Sequence, residues 1–237
     1  MTRRLYSEDA YLTECQATVE DLTERGVILN ATVFYPTGGG QPGDTGTLTW
    51  DGGSAVVADT VADETGRIVH VLAEGSNPPE TGTEVTAEID FDRRQRLMRM
   101  HTCLHLLSAV LPYPVTGGQV GDGSGRLDFD LPDSPDKAQV EAELNQLIEQ
   151  DHPVGERWIT DEELDAQPEL VKTLSVQPPR GAGRIRLLEI PGVDLQPCGG
   201  THVKRTGEIG PVRVVKIEKK GRMNRRVKVV LGEISSR

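Results

Sequence analysis

Over residues 1–90 apolar positions recur in short runs that alternate with polar ones, a period of two that predicts half-buried strands. Ala31–Tyr35, Thr45–Trp50, Ala55–Ala58, Arg67–Leu72 and Glu84–Ile89 have this character, with turn signals at Gly52-Gly53, Glu64–Gly66 and Asn77–Pro79 between them. Short strands at this spacing predict a small antiparallel barrel. From about Asp92 the period lengthens. Leu97, Met100, Leu104, Leu107 and Leu111 fall on one helical stripe, which Pro112 ends. Ser134-Pro135 reads as an N-cap followed by proline at the first helical position, opening a helix carried by Val140, Leu144, Leu147 and Ile148. Thr160–Glu163 has capping-box form. Strands return at Arg184–Ile190, Val212–Ile217 and Arg226–Leu231. The chain is therefore expected to be α+β, with a β-barrel-like domain over residues 1–92 and an α+β domain over residues 93–237.

Composition narrows this picture. At 237 residues with 36% hydrophobic content, one large domain or two modest ones can be supported. No run is long enough to cross a bilayer, and the Met1–Arg4 start has no apolar stretch behind it, so the expected location is the cytoplasm with no membrane partner. Three cysteines fit a reducing compartment. The net charge of −11 speaks against nucleic acid until its distribution is read. Residues 201–237 carry 11 basic against 3 acidic residues, on a body that is otherwise strongly acidic. That stretch is either a strip for phosphate contacts or a solvated strand face, and composition does not choose between them. Only 7 of the 26 basic residues are lysine, which points to a salt-adapted or GC-rich source.

Two short pieces supply metal-grade ligands. His101 and His105 are one helical turn apart on one face. Cys198 and His202 share that separation but straddle Gly199-Gly200 after Pro197, which predicts a tight loop. Either pair alone reads as packing. Together, three imidazoles and a thiolate suit Zn²⁺, one per chain, if the fold closes the gap between them. Cys103 lies on another side of the helix and reads as a core thiol, while His70, His152 and Cys15 have no ligand-like neighbours.

The segment Gly38, Gly39, Gly40, Gln41, Gly43, Asp44, Gly46 contains a literal G-x-G-x-x-G. A strand-like run follows it rather than a helix, and no phosphate-loop lysine is present, so a nucleotide cofactor is not expected. A structural turn and a ligand-facing loop of backbone N–H groups both remain open.

With these motifs in order (His101–Leu107, Cys198–Val203 and Gly38–Gly46) the chain resembles the freestanding alanyl-tRNA editing proteins of the AlaX type, in their medium-length form. It is similar to the editing domain of alanyl-tRNA synthetase as well. Gly118–Val120, Arg126–Asp130 and Lys219–Val227 are similar to further family segments. The resemblance implies an aminoacyl-tRNA deacylase that hydrolyses the ester of mischarged tRNA(Ala), with serine first and glycine second as the removed amino acid. It implies His101, His105, Cys198 and His202 as zinc ligands and Gln119 as a polar residue of the editing pocket. Thr102 adjoins the first ligand, where its hydroxyl meets either a seryl side chain or a backbone carbonyl one turn back. Lys219, Lys220, Arg222, Arg225 and Arg226 are the candidates for RNA contact. The glycine-rich segment would hold the acceptor end or pack the domains together. Four protein ligands describe a closed structural zinc, whereas a catalytic zinc keeps a position open. A tRNA-binding module with structural zinc and a zinc hydrolase of small acylated metabolites therefore stand as alternatives, and oligomeric state is not legible.

Overall fold

The protein is described by a computed structural model over residues 2–174 and 183–232. It divides into two compact units, Met1–Arg96 and Leu97–Arg237, and residues 175–182 and 233–237 of the second lie outside the described residues. Among the described residues no helix is long and apolar enough to cross a membrane.

The first unit is built on six strands, β1 (Glu14–Thr23), β2 (Gly26–Leu29), β3 (Gly46–Trp50), β4 (Gly53–Ala62), β5 (Ile68–Leu72) and β6 (Glu84–Ile89). They close into an antiparallel barrel in the order β1-β2-β5-β4-β3-β6. Alternate positions turn Val27, Leu29, Leu48, Val57, Val85 and Ala87 inward around Phe34. Burying each large aliphatic side chain contributes about 1.5–3 kcal/mol. The run Ala31–Tyr35 does not continue as a strand beyond Thr32, which differs from the sequence expectation. Its chain leaves the ladder because Tyr35 N–H is taken by the Asp44 carboxylate (2.6 Å) and Tyr35 C=O by Asp44 N–H (2.9 Å).

Those bonds show what the glycine-rich segment does inside this unit. A Cβ on Gly43 would lie 2.0 Å from Thr60 O, and one on Gly46 would lie 2.1 Å from Glu88 O, so both must be glycine for the backbones to approach. Between them Asp44 is buried against the equally buried Arg94, whose Nε donates to both carboxylate oxygens at 3.0 Å. Arg94 Nη2 donates to Asp44 Oδ2 as well, and Nη1 and Nη2 reach Ala10 O (2.8 Å) and Val33 O (2.7 Å). The motif is thus a structural turn closed over a buried ion pair. Gly39 and Gly40 have positive φ at its exposed tip, where Gly38 and the buried Gln41 pair across the turn.

The boundary between the units falls inside α1 (Phe91–Val110). In the second unit β7 (Val115–Val120) and β8 (Ser124–Asp130) precede α2 (Lys137–Glu149), β9 (Gly155–Ile159) and α3 (Asp161–Asp165). Strands β10 (Ile185–Ile190), β11 (Asp194–Pro197), β12 (Val212–Lys219) and β13 (Asn224–Leu231) follow. They form a four-stranded antiparallel sheet, β12-β13-β8-β7, and a three-stranded one, β9-β10-β11. Val120, Leu127, Phe129, Val227 and Val229 are buried on one face of the larger sheet. Gly125 on that face stands over Met100, so α1 packs there. The N-cap of α2 is Asp136 rather than Ser134, because the Asp136 carboxylate accepts from Gln139 N–H (2.8 Å). Asn145 and Glu141 of α2 then cover the outer edge of β12, accepting from the N–H groups of Val212 (3.0 Å) and Val214 (2.7 Å).

Two outcomes follow for stability. Asp44→Asn leaves the Arg94 guanidinium buried without its counter-charge, at an expected cost of about 3–5 kcal/mol. Denaturant unfolding followed at Trp50, with Trp158→Phe as background, reads that loss in the barrel. His70 is fully buried, accepting from Thr32 Oγ1 (2.7 Å) and donating from Nδ1 to Val27 O (3.0 Å). Burial lowers its pKa from 6.5 to about 4, the Val27 bond opposing. Between those values the unfolded chain holds the extra proton, so barrel stability is fully present above pH ~6.5 and falls as the pH drops toward 4, by about 3 kcal/mol. His70→Gln should flatten that part of the stability–pH curve; an unchanged slope would rule His70 out as its source.

Candidate metal centre

Helix α1 and the loop after β11 bring His101, His105, Cys198 and His202 together, with one ligand atom from each lying within 4.8 Å of the others. The helical turn between His101 and His105 sets their ring centroids 5.4 Å apart, and the His202 ring sits 4.3 Å from the first and 5.1 Å from the second. Cys198 Sγ is 3.2 Å from His202 Nε2 and 3.6 Å from His101 Nε2. Arg186 fixes the loop by donating to Cys198 O (3.0 Å) and Gly200 O (2.8 Å). All three imidazoles are buried and the thiol is half-buried.

The tautomers of two rings are set from outside the cluster. Thr102 spends its one hydroxyl proton on Met98 O (2.9 Å), so toward His202 Nδ1 (3.2 Å) it can only accept. His202 therefore carries its proton on Nδ1 and turns a bare Nε2 inward. Val203 N–H takes the remaining Thr102 acceptor position (3.3 Å). Thr102 is fully buried, and its bond to Met98 O is the second of the two contacts expected of it, to a backbone carbonyl one turn back. His105 Nδ1 lies 2.9 Å from Asp194 Oδ2, which likewise leaves Nε2 for the centre.

Asp194 is itself held by Lys172 Nζ (2.6 Å) and by Gln196 Nε2 (2.9 and 2.8 Å), and Gln196 also donates to Ser108 Oγ (2.6 Å). Sequence reasoning missed these four residues. The available signal was the i, i+2 spacing of Asp194 and Gln196 just before Cys198, which on a strand puts both on one face.

Electrostatics favour the deprotonated form of Cys198 and the neutral form of His202, but the protonated form of His105. Burial alone would raise the Cys198 thiol, but the charge and hydrogen bond of His101 and the hydrogen bond of His105 hold it well below its usual value. Burial pushes His202 down to about 3, against the pull of Cys198. Burial also disfavours charge on His105, yet the Asp194 bond and the Cys198 thiolate outweigh it and raise His105 to about 10, so metal entry must displace a proton from this ring. Cys103, by contrast, is a buried core thiol pushed up to about 12.

The remaining candidates lie elsewhere. Gln119 is exposed on β7 and accepts from Arg126 Nε (3.3 Å); strand alternation gives it the face opposite the one packed on α1. Lys219, Lys220 and Arg222 are exposed around the β12–β13 turn. Arg226 forks onto Asp128 with two bonds of 2.8 Å. Arg225 is a correction: it is buried, and its guanidinium clamps the turn through Gly221 O (3.1 Å), Asn224 O (3.0 Å) and Pro132 O, leaving it inaccessible to phosphate.

Residues 185–228 match the model of the threonyl and alanyl tRNA synthetase second additional domain, and residues 9–93 match that of class II (A) tRNA synthetases. The alanyl-tRNA editing protein AlaX-M of Methanosarcina barkeri is 38% identical over 96% of this chain and 98% of its own length. Its counterpart in Saccharolobus solfataricus is 35% identical over the same shares. The alanine–tRNA ligase of Pyrobaculum neutrophilum is 38% identical over 92% of this chain but only 25% of the ligase. By identity maintained along almost its whole length, the chain belongs to the family of AlaX-M alanyl-tRNA editing proteins.

Proposed function

We propose that this protein is a trans-acting deacylase that hydrolyses the ester of mischarged tRNA(Ala), with Ser-tRNA(Ala) as its principal substrate and Gly-tRNA(Ala) as the second. The observation that carries the reading is the N₃S cluster with both outer hydrogen bonds in place, in a chain of the alanyl-tRNA editing family. The expected compartment is the cytoplasm, where charged tRNA is used.

The donor set fits zinc: three imidazole nitrogens, two of them on rings of fixed tautomer, and one thiolate of low pKa converge on one point. His101, His105, Cys198 and His202 would hold the ion. When bound, zinc supplies a Lewis acid that polarises an ester carbonyl or lowers the pKa of water. The chain's own groups do the rest. Asp194 and Thr102 orient two of the rings, and Lys172 and Gln196 keep Asp194 ionised and in place. Alanine is spared if the pocket bonds the serine hydroxyl, since an alanyl ester would leave that polar partner unpaired. Gln119 is proposed to act on the RNA side of the substrate.

A second reading is favoured by one feature. Four protein ligands fill a tetrahedral shell, as in structural sites. On that reading the protein is a tRNA-binding module. Deacylation of serine- and alanine-charged tRNA(Ala), with zinc assayed on the same sample, separates the two. Fast loss of serine with alanine retained, at about one zinc per chain, is the expected result. A folded, zinc-loaded protein without turnover would establish the binding module instead.

The outer hydrogen bonds make a separate expectation. Asp194→Asn should weaken zinc affinity by about 10–100-fold in chelator competition while the barrel is unaffected. Unchanged affinity would show that Asp194 does not position His105.

A further inference from the structure

The β12-β13-β8-β7 sheet has a second face, opposite the one packed on α1. Cross-strand register places Lys216 opposite Lys228, Lys228 opposite Arg126, and Arg126 opposite Gln119. Directly opposed residues share a face, so these four side chains form one row across all four strands, about 14 Å long at ordinary strand spacing. Lys216, Lys228 and Gln119 are exposed and Arg126 is half-buried. Their strand neighbours Leu127, Val227 and Val229 point into the core.

Sheet energetics do not account for this row. Two lysines directly opposed repel, and such pairs destabilise an antiparallel ladder. Among the described residues Glu218 alone offsets them, at 2.7 Å from Lys216 Nζ and 3.8 Å from Lys228 Nζ, and it also carries Lys220 at 3.7 Å. Three ammonium groups thus share one carboxylate on a chain whose net charge is −11. Arg126 and Arg226 likewise share Asp128. The surplus is positive, outward-facing and linear, which complements a polyanionic strand rather than a single ion.

We propose that this row is the docking face for the RNA backbone, crossing the strands from Lys216 to Gln119. The assignment rests on the deacylase reading for the identity of the RNA, an acceptor arm of tRNA. It moves the RNA contacts from the β12–β13 turn, where Arg225 is buried, to Lys216 and Lys228, with Arg126 and Arg226 beside them sharing the one Asp128 carboxylate. Glu218 then acts as an internal competitor: it holds the lysines in place when RNA is absent and opposes the phosphates when RNA is present.

The test is binding of uncharged tRNA(Ala) by the zinc-loaded full chain as a function of salt. Lys216→Ala/Lys228→Ala should bind roughly tenfold more weakly at about 0.1 M salt, and its salt dependence should flatten by roughly one unit of slope for each phosphate no longer neutralised. Zinc content should not change. The charge-matched control Arg25→Ala/Arg157→Ala removes two exposed basic residues elsewhere and should keep the wild-type slope. Glu218→Gln should move the other way, with tighter binding and a steeper slope, which misfolding would not produce. Equal weakening in the control, or an unchanged slope in the lysine variant, overturns the docking face. If wild-type protein still turns over seryl-tRNA in that case, the deacylase reading stands without it. Wild-type protein with neither turnover nor tRNA binding overturns both. Binding to phosphatidylserine vesicles with none to tRNA would reassign the row to a lipid surface.

Discussion

The second unit is organised around two hydrogen bonds, His105 Nδ1 to Asp194 and His202 Nδ1 to Thr102. An imidazole can meet a metal through either nitrogen, and three unconstrained rings would rarely present three bare nitrogens to one point. Here the outer partners remove that freedom from two of the rings. Thr102 does so because its proton is already committed to the helix backbone, which makes it an obligatory acceptor. Asp194 does so as a carboxylate kept ionised: burial works against its charge, but His105 and Lys172 hold its pKa below the usual range. The small sheet β9-β10-β11 delivers Asp194, Gln196 and then Cys198 in sequence, so one strand and its exit carry both an outer partner and a ligand.

Electrostatics of the two surroundings differ in kind. Inside the centre, burial is set against a few directed contacts, and each group takes the protonation state those contacts dictate. On the outer face of the four-stranded sheet, charges are solvated and screened, so pairs such as Lys216–Glu218 add little stability. Such residues are free to be arranged for a partner. The buried Asp44–Arg94 pair is a third case, where the ion pair and its backbone bonds define the glycine-rich turn.

Much of this was legible in the residues. Two His/Cys pairs of i, i+4 spacing in one chain singled out the four residues that the fold brings together, and the barrel strands β3 to β6 followed from period-two patterning. What escaped depends on partners distant in sequence. Asp194 is one of 37 acidic residues, and only the fold sets it beside His105. Strand β1 was missed because its inward residues, Ala17 and Val19, are few among polar neighbours. The sides of the sheet on which Arg225, an RNA candidate, and Gln119, an editing-pocket candidate, lie were readable by a stricter rule. Arg225 alternates with Val227 and Val229, and so belongs to the buried side, while Gln119 precedes the buried Val120, and so belongs to the outer one.

His101 and Cys198 are 97 positions apart in the chain, yet Cys198 Sγ lies 3.6 Å from His101 Nε2, and the central proposal is that they hold one metal ion together. X-ray absorption at the zinc edge of the metal-loaded protein tests this most directly. One sulfur and three nitrogen ligands are expected, with the sulfur absent in Cys198→Ser. A shell without sulfur in the unsubstituted protein, or zinc that survives His105→Ala and Cys198→Ser together, would contradict it.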